Sequence, residues 1–147
     1  MGQDWIEREI IIDASPDRVW ATLTEADPVA NWFGDAAAMD LHPGGRASFR
    51  RTGDGDFWTV VEHVAPPTVL SYRWARDAGT EPGEGASTLV EFTVTETTVG
   101  TLLRVVESGF DSLHVSPDAQ VRAATESSQA WIDGLAQVKD YAERPPA

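Results

Sequence analysis

A change in hydrophobic periodicity constrains the fold of this 147-residue chain more than any other feature. Between Met39 and Val105, apolar side chains recur at every second position in short runs, which is typical of strands buried on one face. From Val121 to Ala142 the spacing becomes three and four residues, which predicts an amphipathic helix over about residues 117–143. An antiparallel sheet must bury one face, and this helix is the only large element available to cover it.

The elements that precede the strand run are short. Residues 5–13 are predicted to form a strand with Ile6, Ile10 and Ile12 on one face. Ser15-Pro16-Asp17 has the N-cap and first-turn residues of a helix over about residues 16–24. Asp27-Pro28 predicts a second short helix that ends near Gly34. The predicted order is a strand, two short helices, six strands and the long helix. We therefore expect an α+β fold whose curved antiparallel sheet wraps round the C-terminal helix and leaves a cavity.

Three features interrupt the strand run. Val61 and Val64 break the period of two, so we expect a bulge near Glu62-His63 that returns both to one face. Pro66-Pro67 predicts a turn, and residues 97–100 predict a hairpin between the last two strands.

Composition excludes several classes of protein. With 24 acidic and 11 basic residues spread evenly, the net charge is −13, so nucleic acids and anionic membranes are not expected partners. The chain has no cysteine, which favours a reducing compartment and predicts a cytoplasmic protein. It also has no signal-peptide pattern and no apolar run long enough to span a membrane. The length predicts one domain over residues 1–147.

A direct search for catalytic and metal motifs finds none. There is no Gly-x-Ser-x-Gly elbow and no His-Glu-x-x-His, and Gly53-Asp54-Gly55-Asp56 is interpreted as a hairpin turn, not a calcium loop. The three histidines fall in different predicted elements: His42, His63 and His114. The basic cluster of Arg46, Arg50 and Arg51 is interpreted as a solvated strand, with a ligand-carboxylate anchor as the alternative. We expect neither a metal nor a cofactor.

The period of two along the strands and the three-and-four spacing along the helix identify the residues that are candidates to line the cavity. Aromatic side chains at inward positions would provide flat apolar surfaces, while Ala124 and Ser128 are small where a filled core would need bulk. Glu107 shares parity with inward residues, so it either reaches solvent at the strand end or is buried with a partner, for which Arg8 is a candidate. The predicted ligand-binding residues are Trp32, Phe33, Phe49, Tyr72, Trp74, Phe92, Leu103, Glu107, Ala124, Ser128 and Trp131.

An ordered set of short motifs resembles the SRPBCC (START-like, helix-grip) superfamily over nearly the whole chain. The motifs are residues 12–20 (Ile-Asp-Ala-Ser-Pro-Asp-Arg-Val-Trp), 31–34 (Asn-Trp-Phe-Gly), 40–46 (Asp-Leu-His-Pro-Gly-Gly-Arg), 64–67 (Val-Ala-Pro-Pro) with Leu70 and Trp74, Gly100-Thr101 with Leu103, Ser108-Gly109-Phe110, and Trp131 with Leu135. Within the superfamily the chain is most similar to the bacterial group homologous to the C-terminal domain of the activator of the ninety-kilodalton heat-shock chaperone's ATPase. The resemblance implies a single helix-grip domain, and it does not choose among the functions found on that scaffold.

Three functions remain open at this point. The first is binding of a small apolar or aromatic molecule in the cavity between the sheet and the C-terminal helix. The second, implied by the resemblance, is a chaperone-activator-like protein-interaction module. The third is a cyclase, dehydratase or hydrolase that uses Glu107, His63 or Tyr72 as an acid or base in the same cavity. We rank binding above catalysis because no catalytic motif is present.

Overall fold

A computed structural model describes residues 4–25, 36–40, 42–51, 55–75, 82–83 and 85–144, and of residues 36–39, 47–51 and 55–57 it describes the backbone. Within these ranges, seven strands and two α-helices follow one another, with a short 3-10 helix (Phe110–Ser112) before the second α-helix. They are β1 (Trp5–Ile12), α1 (Pro16–Thr24), β2 (Ala36–Met39), β3 (Arg46–Arg51), β4 (Gly55–Ala65), β5 (Val69–Ala75), β6 (Ser87–Thr97), β7 (Gly100–Ser108) and α2 (Pro117–Ala142).

The strands form one antiparallel sheet in the order β1-β7-β6-β5-β4-β3-β2, so the first and last strands of the chain are neighbours. The predicted bulge is confirmed by a register shift between Val61 and His63. The predicted hairpin is confirmed by the pairing of Thr97 with Gly100, and the predicted turn contains a cis bond between Pro66 and Pro67. The α+β helix-grip architecture is therefore confirmed.

Both helices begin as their sequence predicts. Ser15 accepts a hydrogen bond from the backbone N–H of Arg18 at 3.2 Å, and Ser116 accepts one from Ala119 at 3.1 Å. Each hydroxyl satisfies a backbone donor that has no partner within its helix, and a proline follows each cap at the first helical position. The second short helix predicted after Asp27 lies outside the described residues.

The core lies between the inner face of the sheet and the two helices. Its strand residues occupy the predicted inward positions, and α2 contributes the stripe spaced by three and four residues. The fully buried or nearly buried core members include Ile12, Val19, Leu70, Phe92, Leu103, Val105, Phe110, Leu135 and Val138. In the described part of the chain, no helix is long and apolar enough to cross a membrane.

Candidate functional site

A buried carboxylate lies at the interface between the sheet and α2. Glu107, near the end of β7, is 3% exposed, and register pairs it with Ile6 of β1 and Val90 of β6. Its Oε2 accepts a hydrogen bond from the Thr88 hydroxyl at 2.5 Å, and its Oε1 accepts one from the Trp131 indole N–H at 2.9 Å. The inward position predicted by strand parity is therefore the one Glu107 occupies.

Aromatic rings continue from this carboxylate across the inner face of the sheet. The Trp131 ring meets Phe92 edge-on, with centroids 5.4 Å apart and an angle of 85° between the planes. Tyr72 lies 6.1 Å from Phe92 and 6.5 Å from Trp74, both at tilted angles. These spacings and angles are in the range that aromatic pairs prefer. Trp131 is therefore the contact through which α2 joins the sheet's aromatic surface.

Burial and charge act together on Tyr72. Its side chain is 3% exposed, and burial, followed by the negative charge of Glu107, raises its pKa well above the ordinary value of 10.0. Both causes disfavour the phenolate, because it would be poorly solvated and would lie near a carboxylate. Tyr72 therefore stays a neutral phenol over the physiological pH range.

The remaining described candidates have different environments. Leu103 is fully buried in the core cluster, and Ala124 is 9% exposed on the inner stripe of α2. Ser128 is half-buried, and its hydroxyl accepts hydrogen bonds from Arg8 Nε at 3.1 Å and Nη2 at 2.6 Å. Arg8 thus joins β1 to α2 through Ser128, and Glu107 accepts hydrogen bonds from Thr88 and Trp131. Trp32 and Phe33 lie outside the described residues, as does the side chain of Phe49.

The other polar candidates do not converge on Glu107. His63 is exposed beside the bulge, and Glu62 is exposed next to it and pairs with Arg73 at 3.3 Å. The exposed His42 ring lies 3.0 Å from Asp40; a hydrogen bond to the Pro43 carbonyl and the Asp40 charge raise its pKa. The remaining histidine, His114, is exposed in the loop before α2. Within the described ranges, no three His, Asp or Glu side chains are placed to hold a metal ion.

Sequence reasoning missed two hydroxyl residues on the inner wall. Thr88 binds the carboxylate, and Thr59 is fully buried in the same cross-strand row, on the far side of Trp74. A signal was present, because Thr88 shares parity with Val90 and Phe92 and is a polar residue at an inward strand position. An inward threonine is a candidate partner for any buried carboxylate on a neighbouring strand.

Comparisons with known proteins agree with this architecture. Residues 13–140 match the family described as "Activator of Hsp90 ATPase homolog 1-like protein". Protein MLL2253 from Mesorhizobium loti is 24% identical with a TM-score of 0.80, and the match covers 97% of this chain and 99% of that one. The Aha1 dimer from Colwellia psychrerythraea is 22% identical with a TM-score of 0.74, over 96% of this chain and 97% of that one.

A third solved structure is DynU16, described as a putative protein in the dynemicin biosynthetic locus. It is 27% identical with a TM-score of 0.75, and the match covers 96% of this chain and 48% of DynU16. A comparison with curated proteins finds no significant match. The structural likenesses establish the fold, and the family match extends over the strands and helices that build the candidate site.

Proposed function

Starting from the fact that the chain belongs to the family of Activator of Hsp90 ATPase homolog 1-like proteins, we propose that it binds a small apolar or aromatic molecule between its sheet and α2. The observation that carries this proposal is the continuous aromatic surface of Tyr72, Phe92 and Trp131 around the buried carboxylate of Glu107. Flat rings with a few fixed polar groups are the usual lining of a small-molecule site. The 27% identical DynU16, which belongs to a biosynthetic locus, supports a small-molecule role.

Trp74, whose ring lies 6.5 Å from that of Tyr72, is the aromatic residue best placed to meet a ligand. It is half-buried, whereas Tyr72 and Phe92 are 3% and 1% exposed. Its register partners Thr59 and Thr88 are both fully buried, and the Thr88 hydroxyl donates to Glu107. A ligand at Trp74 therefore finds a partly exposed flat ring, which favours a molecule with an aromatic body.

The test uses the neutral aromatic probe N-phenyl-1-naphthylamine, whose fluorescence rises in apolar sites. Trp74→Ala should weaken probe binding about tenfold, which corresponds to about 1.4 kcal/mol. Trp58→Ala is the matched control, because Trp58 is also half-buried but belongs to the opposite face, where Arg46 lies 5.1 Å from its ring. Non-saturable probe binding, or equal losses in the two variants, would reject the site.

The proposed binding site between the sheet and α2 could instead carry out acid–base chemistry. His63 is exposed beside the bulge, so such an enzyme would depend on Glu107 and Tyr72. A cyclase, dehydratase or hydrolase reaction would then be abolished by Glu107→Gln or Tyr72→Phe in a variant that still binds the probe. Turnover unchanged in both variants would exclude this use of the cavity.

Another candidate function is a chaperone-activator-like interaction. For this function the protein would be located in the cytoplasm. The family description favours it, and exposed apolar side chains on the outer face of β1 provide a contact surface: Trp5 is 46% and Ile11 is 41% exposed. The assay measures the ATPase rate of the ninety-kilodalton chaperone with added protein. Stimulation that Trp5→Ala reduces and Val99→Ala, at a 71% exposed turn position, leaves unchanged would support it. An unchanged ATPase rate would reject it.

A further inference from the structure

A groove of about 500 Å³ lies on the outer face of the sheet, on the opposite side from Glu107. Its floor is a cross-strand row, since Ser108 of β7 pairs with Leu89 of β6 and Leu89 pairs with Arg73 of β5. Asp4, Gly109 and Ser112 form the rim at the β1 side. We propose that this groove binds a small zwitterion whose ammonium and carboxylate groups are several ångströms apart, such as a short peptide.

Arg73 is the group that would bind the carboxylate end. Its Nε pairs with Glu62 at 3.3 Å, and its side chain is 44% exposed. A guanidinium has five N–H donors, so this one contact leaves Arg73 with donors for a ligand carboxylate.

Asp4 is the group that would bind the ammonium end, and the backbone holds it in place. Its carbonyl oxygen accepts hydrogen bonds from the N–H groups of Gly109 at 3.0 Å and Phe110 at 3.2 Å. Its Oδ1 accepts one from the N–H of Asp111 at 3.2 Å. The carboxylate has a second oxygen, which is available to a cation because a carboxylate accepts about four hydrogen bonds.

Between the two charged ends, the groove offers hydroxyl groups on a partly apolar floor. Ser108 and Ser112 line the groove, and each carries a hydroxyl. Leu89 is half-buried and supplies the apolar contact at the centre. Hydroxyls in this position can donate to, or accept from, the peptide groups of a bound ligand.

The strand order sets the separation of the ligand's charges. Asp4 directly precedes β1 and Arg73 is in β5, with β7 and β6 between them, so the two backbones are three strand spacings apart. Three spacings are about 14 Å. The distance between the two charged groups is shorter, because the Asp4 and Arg73 side chains both line the groove. An extended tripeptide spans up to about 10 Å, whereas a single amino acid is much shorter. The groove therefore fits a tripeptide better than a free amino acid.

The charge of the whole protein favours a zwitterion over a simple anion. At a net charge of −13, the protein repels an anion approaching Arg73, and Glu62 already offsets part of the local positive charge. A ligand with no net charge avoids this repulsion and can still use both Asp4 and Arg73.

The experiment follows amide NMR shifts of the ¹⁵N-labelled protein during titration with triglycine. We expect saturable shifts at Gly85, Gly109 and Ser112, and binding at least about tenfold weaker for N-acetyltriglycine, triglycine amide and glycine. Arg73→Gln and Asp4→Asn should each weaken triglycine binding about tenfold. Arg104→Gln is the matched control, because Arg104 is an outer-face arginine of β7 that pairs with Glu7 at 2.9 Å, away from the groove.

Asp4→Asn keeps an oxygen for the Asp111 N–H, and the spectra themselves show whether each variant is folded. Triglycine and N-phenyl-1-naphthylamine should bind without competition, because the two sites are on opposite faces. The proposal is overturned by the absence of saturable shifts at the groove, by equal binding of the capped peptides, or by an equal loss in Arg104→Gln.

Discussion

At the scale of single residues, Glu107 is a buried carboxylate held by hydrogen bonds from two elements. Burying a carboxylate costs free energy unless it is hydrogen-bonded, and Thr88 and Trp131 each donate to a different oxygen. A hydrogen bond to a charged group contributes about 1.5–3 kcal/mol. Because one donor is on β6 and the other on α2, the carboxylate links the helix to the sheet.

Glu107→Gln should destabilise the protein by about 1–3 kcal/mol, because the amide has one acceptor oxygen and must turn its NH₂ towards either Thr88 or Trp131. Urea unfolding measures the change. Glu91→Gln, at an exposed position on β6, should stay within about 0.5 kcal/mol. If Glu107→Gln and Glu91→Gln are equally stable, the Glu107 carboxylate does not specifically stabilise the interface between the sheet and α2.

Tyr72 should make stability fall in alkaline solution. Its folded pKa is raised by burial and by Glu107, so the folded state keeps a proton that the unfolded chain loses near the ordinary tyrosine value of 10.0. The contribution is fully present below that pH and is lost as the pH rises from it towards the folded pKa. Urea unfolding between about pH 8 and 11 should show this loss in the wild type and a smaller one in Tyr72→Phe. Parallel pH profiles for the two proteins would contradict it.

At the scale of elements, α2 protects an edge of the sheet as well as covering its inner face. β1 is an edge strand, and edge strands expose backbone groups that can pair with another chain. Lys139 donates to the Ile11 carbonyl at 3.2 Å, and Glu143 accepts from the Asp13 N–H at 2.8 Å. Lys139 and Glu143 also pair with each other, so the end of α2 closes one end of this edge.

The Glu143 contact should weaken in acid. The hydrogen bond from Lys139, and then that from the Asp13 N–H, lower the pKa of Glu143 below its ordinary value of 4.5. A lowered folded pKa adds stability that is present above the unfolded value and is lost as the pH falls through the folded one. The stability difference between wild type and Glu143→Gln should therefore shrink between about pH 6 and 3. Asp140→Asn, which breaks the surface pair with Arg144, is the control. If the stability difference between wild type and Glu143→Gln does not change with pH, the ionised Glu143 carboxylate does not stabilise the fold through these contacts.

The local elements could be predicted from the sequence, but their mutual placement could not. Ser15 and Ser116 cap their helices through residues three positions away, so short-range pattern was enough to predict α1 and α2. The contact between Arg8 and Ser128 joins residues 120 positions apart, and no local pattern encodes it. For the same reason, the alternation of side chains along β7 predicted that Glu107 faces inward but did not predict that Thr88 and Trp131 are its partners.

At the scale of the whole molecule, charge repulsion competes with ion pairing. Some basic side chains have acidic partners, as Arg104 has in Glu7 and Arg144 has in Asp140. With 24 acidic and 11 basic residues, however, 13 acidic groups remain even if every basic group is paired. Exposed ion pairs contribute about 0–1 kcal/mol each, whereas the excess negative charges repel one another throughout the folded state.

Salt should therefore stabilise this protein. Raising NaCl from about 0.01 M to about 0.15 M shortens the screening length from about 30 Å to about 8 Å, which weakens the repulsion among the excess carboxylates more than it weakens contact pairs. We expect the melting temperature to rise over this range. A variant with Glu91, Glu96 and Glu126 changed to Lys has a net charge of −7 instead of −13, because each change adds two positive units. Its melting temperature should rise less over the same range of NaCl concentration. A melting temperature that falls with salt would mean that ion pairs outweigh the repulsion in this fold.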